Sequence, residues 1–382
     1  MKPKLLRLTT ADISLDVLLK GQLKFLNGYY EVVGVAADTG LLENVEQREG
    51  IRTVAVPMHR EISLWADLKC LWNLFWLFRR ERPYILHANT PKGSLLAMLA
   101  GWLARVPHRI YLVTGLRYQG ATGAFRWILM TMERLSCLCA TKVIPEGKGV
   151  KKALLMDGIT RKPLRVVHYG NINGIDTAYY SQEALSKDRI ALRQELHFSD
   201  SDFVFVFIGR IVRDKGMNEL ADAMKALVKE YPACKLILVG SFEPEDPLED
   251  DRESFFKTSE HVCFVGWQND VRPYLAAADA LVFPSYREGF PNVVLQAGSM
   301  GLPSIVTDIN GCNEIVFDGY NGYIIPPHSE KALEQMMRKF LTTPKEVARM
   351  AANARSSIVE RYEQRDVWNA LLEVYQTIDD KK

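Results

Sequence analysis

The chain has 382 residues, a length that suggests two domains, each long enough for its own core. Hydrophobic residues make up 48% and charged residues 25%, ordinary globular values rather than those of a disordered chain. The net charge of +2 hides an asymmetry: residues 1–180 carry 25 Lys and Arg against 14 Asp and Glu, or +11, and the remainder carries the other 23 against the other 32, or −9. A basic half beside an acidic one points to an anionic partner for the first half, nucleic acid or membrane. Cys70, Cys137, Cys139, Cys234, Cys263 and Cys312 sit mostly in apolar runs without CxxC or Cys/His metal spacing, so buried free thiols in a reducing cytosol are expected. The N-terminus, MKPKLLRLTT, lacks an apolar signal core and reads as a first strand.

Strands alternate with helices along the whole chain, the pattern of parallel α/β sheets. In the first half, 4–10, 30–38, 52–58, 84–90, 109–115, 141–146 and then 164–170 read as strands. The helices between them are predicted at 18–26, 63–83, 93–106 and 123–139. A polar, charged passage between domains is expected near 176–201. In the second half, 202–210, 234–240, 261–266, 279–285, 303–309 and 322–327 read as strands, with helices at 217–231, 271–278, 292–300 and 330–341. The stretch 243–253 reads as an acidic, Pro-containing loop, and a last helix is expected from about 366 to 378.

Two helices of the basic half are unusually aromatic. Segment 63–83 spaces Leu64, Trp65, Leu68, Leu71, Trp72, Phe75, Trp76, Leu77 and Phe78 at mixed three and four, and closes on Arg79, Arg80 and Arg82. Asp67, Lys69 and Asn73 interrupt it, so it is too short and too charged to span a bilayer. Segment 123–139 is similar. Both suit a helix lying in a lipid headgroup layer, and both also suit a helix packed on a sheet.

The most informative segment is FPSYREGFPNVVLQAGSMGLPSI, residues 283–305. A strand end runs into a turn carrying Glu288 and Gly289, and Phe290, Pro291 and Asn292 open a helix. The first N–H groups of a helix lack internal partners and its dipole favours negative charge there, so this is a ready anion site. Glu288 would repel a phosphate, which suits a role in gripping something attached to it, such as a sugar hydroxyl. A second strand end, FIGRIVRDKGMNEL, puts Gly209, Arg210 and Lys215 on a turn before a helix. Two cations flanking a helix start can neutralise a diphosphate and stabilise a departing one.

These motifs resemble the donor-binding signature of the family-4 glycosyltransferases, whose fold is GT-B: two Rossmann-like domains facing each other across a cleft. The resemblance covers nearly the whole chain and is most specific in residues 205–327. In that family a Glu, seven residues and a second Glu mark the nucleotide-sugar site. Here Glu288 holds the first place and Gln296 the second, and Gln keeps an acceptor oxygen for the ribose diol. The resemblance implies that Arg210 and Lys215 bind donor phosphates, that Glu288 binds the sugar, and that Gln268 in GWQNDVRPYLAAADA meets the base. VHYGNINGID resembles the inter-domain turn, with Gly170 and Gly174 setting its backbone, and NGCNEIVFDGYNGYIIPP resembles the loop and strand after the signature helix.

In the first domain, LHANTPKGSLLAMLAG resembles a family segment, which makes His87 and Lys92 acceptor-side candidates. Arg117, in VTGLRYQG, is a candidate for an acceptor phosphate; Thr114 and Gly115 stand where many relatives have a catalytic-loop His, so no His is assigned there. TTADISLDVLLKGQL lacks paired glycines and, with Ser14, Leu15, Gly21 and Gln22, looks like the subgroup acting on polyprenyl-linked acceptors.

The resemblance implies an acceptor domain at 1–176, a nucleotide-sugar domain at 177–365, and a C-terminal helical segment, 366–382, packing back on the first. It implies a retaining, metal-independent transfer without a cofactor, in which the leaving diphosphate takes the acceptor proton. A UDP-sugar donor and a polyprenyl-diphosphate-linked acceptor are expected, as in capsule or O-antigen assembly, with a cytoplasmic protein peripheral on the inner face of the membrane and no nucleic acid. A soluble acceptor, or a GT-B nucleotide-sugar epimerase, are the alternatives. No GxGxxG follows the first strand, and no Walker sequence or GxSxG elbow is present. The acidic pair that a metal-dependent transferase needs at a strand end is not seen.

Overall fold

The computed structural model describes residues 2–59, 63–185, 187 and 189–379. The chain divides into two compact units, Met1–Gly174 with Arg365–Lys382, and Ile175–Gln364.

The first unit is built on strands β1 (Lys4–Ala11), β2 (Glu31–Ala37), β3 (Arg52–Ala55), β4 (Ile85–Ala88), β5 (His108–Val113) and β6 (Lys142–Pro145). They pair in parallel in the order β3-β2-β1-β4-β5-β6. Its helices are α1 (Gln22–Asn27), α2 (Leu42–Glu49), α3 (Leu64–Glu81), α4 (Pro91–Leu103), α5 (Gly123–Cys139) and α6 (Lys148–Met156). A parallel sheet is covered on both faces, so its strands read as near-continuous apolar runs. Alternate residues then serve the two faces. Leu6, Leu8, Val33 and Leu86 pack with Leu74 and Phe78 of α3, Leu96 of α4 and Leu129 of α5. Leu5, Val32, Ile85 and Ile110 pack on the other side with Leu23 of α1 and Val45 of α2.

The second unit repeats the plan with β7 (Phe203–Ile208), β8 (Cys234–Val239), β9 (Val262–Gly266), β10 (Ala280–Phe283), β11 (Ser304–Thr307) and β12 (Gly322–Ile325), ordered β12-β11-β10-β7-β8-β9. Its helices are α7 (Arg189–Glu195), α8 (Met217–Glu230), α9 (Asp250–Thr258), α10 (Arg272–Ala277), α11 (Asn292–Ser299), α12 (Cys312–Ile315), α13 (Glu330–Thr342) and α14 (Pro344–Tyr362). The last helix, α15 (Gln364–Asp379), belongs with the first unit, where Leu371, Leu372 and Tyr375 join the core beside α1 and α2.

Both sheets are doubly wound, and in each the strand order reverses once: between β1 and β4, and between β7 and β10. Ligands of such sheets bind outside the carboxyl ends of the strands at that reversal. In the second unit the two segments that meet there are those following β7 and β10, residues 209–216 and 284–292.

Four expectations give way. Residues 164–170 form no strand; His168 and Gly170 both have positive φ, 51° and 105°, so the chain turns instead of extending. The helix expected at 18–26 is split. A π-type turn at Ser14–Leu18 ends before Gly21, whose φ of 81° breaks the helix, and Glu49 caps the start of α1 by accepting from the Gly21 and Lys24 amides. The segment 176–201 is no bare linker. It carries α7, where buried Arg193 pairs with Asp279 at 2.6 Å and donates to the Ala277 carbonyl, and Arg189 pairs with the same carboxylate. The acidic stretch from Asp250 onward is the first turn of α9, where three carboxylates suit the helix dipole.

Candidate active site

At the reversal point of the second sheet, β7 ends at Ile208 and the chain turns through Gly209 and Arg210 to Lys215 before α8. The turn closes on Gly216, whose φ is +69° and whose absent Cβ would lie 2.2 Å from the Pro284 carbonyl oxygen. Only glycine lets this turn lie against the end of β10. That contact brings Lys215 onto the loop after β10: Lys215 Nζ pairs with Glu288 Oε1, and Ser285 Oγ donates to the same oxygen at 3.0 Å. Both charged side chains are largely enclosed, 13% and 19% exposed, so their pairing is little screened.

The loop then enters α11 with Pro291 at the N-cap, φ −74°, and Phe290 buried. Pro291 fixes the backbone into the helix, and the amides that follow it open the helix at the end where its dipole favours negative charge. The fit is held from behind by residues 310–312: Gly311, φ +75°, packs so closely that a Cβ would lie 2.6 Å from the Gly289 carbonyl oxygen. Cys312 is fully buried behind the pair, and burial pushes its thiol well above the ordinary value, so it stays neutral.

The remaining donor-side candidates are distributed around this point. Arg210 is exposed and pairs with Glu243 at 2.9 Å, and neighbouring Arg213 reaches Asp246 at 3.0 Å. The acidic loop thus supplies partners to the cationic turn. Gln296, one helical turn into α11, donates through Nε2 to the Tyr180 hydroxyl at 2.9 Å, leaving its carbonyl oxygen available as an acceptor. Gln268 lies in the loop after β9 and donates to the Val265 carbonyl at 2.8 Å. Sequence reasoning missed Ser285 and Tyr180. Ser285 was within reach as the residue ending the strand; Tyr180 lies 116 residues from Gln296 and carries no sequence signal.

In the first unit the three acceptor-side candidates separate. Lys92, in the first turn of α4, and Arg117 line one narrow pocket together with Pro91 and Glu133. Lys92 pairs there with Asp67 of α3 at 2.6 Å. Glu133 is buried, accepts from the Tyr111 hydroxyl at 2.6 Å, and burial raises its carboxyl to about 7. His87 is elsewhere. It is 0% exposed and sits inside the unit with Nδ1 2.5 Å from the Tyr375 hydroxyl, so it presents no surface to an acceptor. Burial, then the Arg7 guanidinium, lowers its pKa well below the ordinary range and keeps it neutral. Gln22 is likewise internal: it accepts from Arg7 and donates to the Ile172 carbonyl. Among the described residues no cluster of three His, Cys, Asp or Glu could hold a metal ion.

Two doubly wound parallel sheets, the second with a helix start, a largely enclosed Lys–Glu pair and a flanking arginine at its reversal point, have the architecture of a GT-B glycosyltransferase. Residues 188–357 match the family model described as glycosyl transferases group 1, and residues 27–170 match the glycosyl transferase 4-like domain. The chain belongs to this family of glycosyltransferases. It is 28% identical to the capsular polysaccharide biosynthesis glycosyltransferase CapM of Staphylococcus aureus, over 98% of this chain and 97% of that one. It is 27% identical to the UDP-Gal:alpha-D-GlcNAc-diphosphoundecaprenol alpha-1,3-galactosyltransferase of Escherichia coli, over 82% and 81% of the two chains. In fold it is similar to Anabaena HepE in complex with UDP, with a TM-score of 0.80, 20% identity, and 99% and 100% of the two chains covered.

Proposed function

We propose that the chain moves a sugar from a nucleotide-sugar, a UDP-sugar by preference, to a saccharide carried on a lipid diphosphate, with retention at the anomeric carbon, in surface polysaccharide assembly of the capsule or O-antigen kind. The observation that carries this reading is the Lys215–Ser285–Glu288 cluster against the start of α11. It offers a cation and a helix N-terminus to a diphosphate, and a carboxylate to a sugar hydroxyl, from adjoining positions. The names of the relatives support the finer points: the Escherichia coli protein is named for a UDP-sugar donor and a diphosphoundecaprenol acceptor, and the Staphylococcus aureus protein for capsular polysaccharide.

In this reading Arg210, Lys215 and the amides opening α11 stabilise the negative charge that grows on the departing diphosphate. Gly209, Gly289, Phe290, Pro291 and Asn292 form the backbone around it, Gln296 takes the ribose, Gln268 the base, and Glu288 the sugar. The acceptor hydroxyl oxygen forms the new bond to the anomeric carbon as the bond to the diphosphate breaks. The acceptor's proton passes to a diphosphate oxygen. No general base from the protein is required, and neither is a metal. Lys92 and Arg117 are assigned to the acceptor's diphosphate, and the enzyme acts as a peripheral protein on the inner face of the membrane.

The test is purified protein with a panel of labelled nucleotide-sugars, each with and without a polyprenyl-diphosphate-linked sugar. Label in the lipid product, with the anomeric configuration of the donor retained, is the expected outcome. Label in a water-soluble acceptor, or donor isomerised without any acceptor, would replace this reading with one of the alternatives.

A further inference from the structure

We propose that the first unit carries a phosphate-binding pocket, formed by Arg79, Arg82 and Arg105, that seats the headgroups of an anionic bilayer and fixes how the adjoining tryptophans of α3 and α4 enter it. The proposal extends the reading of a lipid-linked acceptor but rests on no step of glycosyl transfer.

The C-terminal ends of α3 and α4 come together at the end of the sheet where the interior strands β4 and β5 begin. Between them lies a surface pocket of about 370 Å³ lined by Arg79, Arg82 and Arg105, with no carboxylate in its wall. No ion pair or side-chain hydrogen bond engages these three arginines among the described residues. The nearest acid in sequence, Glu81, is already paired with Lys4 at 2.9 Å and with Arg52. Arg82, which directly follows α3, and Arg105, one residue past the C-cap of α4, both lie in the left-handed region, at φ 48° and 59°, where glycine would be easier. Three like charges around one cavity repel one another, and an anion with several acceptor oxygens relieves that repulsion; guanidinium forks match phosphate geometry.

The surroundings select the source of the phosphate. Trp72 and Trp76 stand one helical turn apart on α3, 61% and 53% exposed, with Arg79 continuing the same face. Their rings meet edge to face at 5.7 Å. Trp102, in the last turn of α4, is 56% exposed. A free anion needs no such aromatic flank. A bilayer interface does, because indole rings settle at headgroup depth while arginines hold phosphates. The +11 carried by residues 1–180 adds long-range attraction to an anionic surface.

The experiment is flotation of the full chain with vesicles of phosphatidylcholine, with or without phosphatidylglycerol, at low and high salt. Wild type should float with the anionic vesicles, at least about tenfold better than with neutral ones at low salt, and should lose part of that binding, not all, at high salt. R79S/R82S/R105S should lose about tenfold or more of the low-salt partition, and R79K/R82K/R105K, which keeps the charge without the fork, should restore only part of it. W72S/W76S should lose the salt-resistant part. Circular dichroism establishes that each variant is folded, and the arginine variant should keep its turnover on a detergent-solubilised lipid-linked acceptor while losing it on a vesicle-borne one. Wild type that ignores anionic vesicles, or a folded R79S/R82S/R105S that floats like wild type, overturns the proposal. Calorimetry with inorganic phosphate is the second arm: saturable binding of free phosphate by a protein that does not float would assign the pocket to a soluble anion instead.

Discussion

Glu288 is held by Lys215 and Ser285, so its carboxylate is oriented before any sugar arrives. If it grips the donor sugar, Glu288→Ala lowers kcat/KM by at least about a hundredfold, equivalent to roughly 2.7 kcal/mol of lost transition-state binding, with the fold intact by circular dichroism. Near-wild-type turnover would remove it from the site. A second residue-scale expectation comes from Glu133. Folded, its buried carboxyl titrates at about 7 against an ordinary 4.5, so the folded chain holds a proton that the unfolded chain has released. Stability therefore falls as pH rises from 4.5 to about 7, by roughly 3 kcal/mol at ~1.4 per pH unit. Buried His87 works in the opposite sense: it stays neutral where the unfolded chain takes a proton, so stability falls as pH drops below 6.5. The two slopes oppose one another between 4.5 and 6.5. Glu133→Gln removes one of them, so the stability difference between wild type and variant should shrink or reverse as pH rises from 5 to 7.5, read by urea unfolding. A difference that ignores pH would sink the assignment. Of these residues, Glu288, Lys215 and the α11 start were legible because a strand end, a turn and a helix start are local signals. Glu133 and the burial of His87 were not: both depend on what a distant element lays over them, Tyr111 in one case and Tyr375 in the other.

At the scale of elements, the strands were legible because parallel strands buried on both faces are short apolar runs. The failures are physical too. Helices α2, α9 and α14 are rich in charge, and their apolar stripe is thin beside the solvated face; the turn at 164–170 is written in apolar, β-prone residues but bends through positive φ at His168 and Gly170. The attachment of α15 shows tertiary context deciding an element's place. Tyr375 lies fully buried, with its hydroxyl between Arg7 Nη1 at 3.3 Å and His87 Nδ1 at 2.5 Å, and Trp368 Nε1 donates to Asn173 at 2.7 Å. Arg7 is buried without a carboxylate partner among the described residues, and burial pulls its pKa down. Removing one hydroxyl takes a partner from His87 Nδ1 and from Arg7 Nη1, while Arg7 Nη2 keeps Gln22, at about 1–3 kcal/mol. Tyr375→Phe should therefore lower the unfolding free energy by about 2 kcal/mol or more, in thermal or urea unfolding, although it deletes no apolar contact. A loss under about 0.5 kcal/mol would mean that Arg7 and His87 find other partners.

Over the whole molecule the charge partition works against one half of the proposed chemistry and for the other. Residues 181–382 carry −9, yet the reading above asks them to hold a nucleoside diphosphate. Long-range attraction cannot supply that binding; it must come from close contacts, Arg210, Lys215 and the first amides of α11. The consequences concern UDP binding to the full chain. Arg210→Ala and Lys215→Ala should each weaken it about tenfold or more by calorimetry, since a hydrogen bond to a charged group contributes about 1.5–3 kcal/mol. The double variant should lose less than the product, because both act on one diphosphate. Raising salt to physiological strength should cost little affinity, because screening weakens the repulsion of the acidic half along with the local attraction. Ligand-induced hydrogen-exchange protection should concentrate at 209–216 and 285–296, and a chelator should leave both binding and turnover intact. Unchanged affinity in both single variants would take the cations out of the site, and loss of activity in chelator would overturn the metal-free mechanism while leaving the anion site standing.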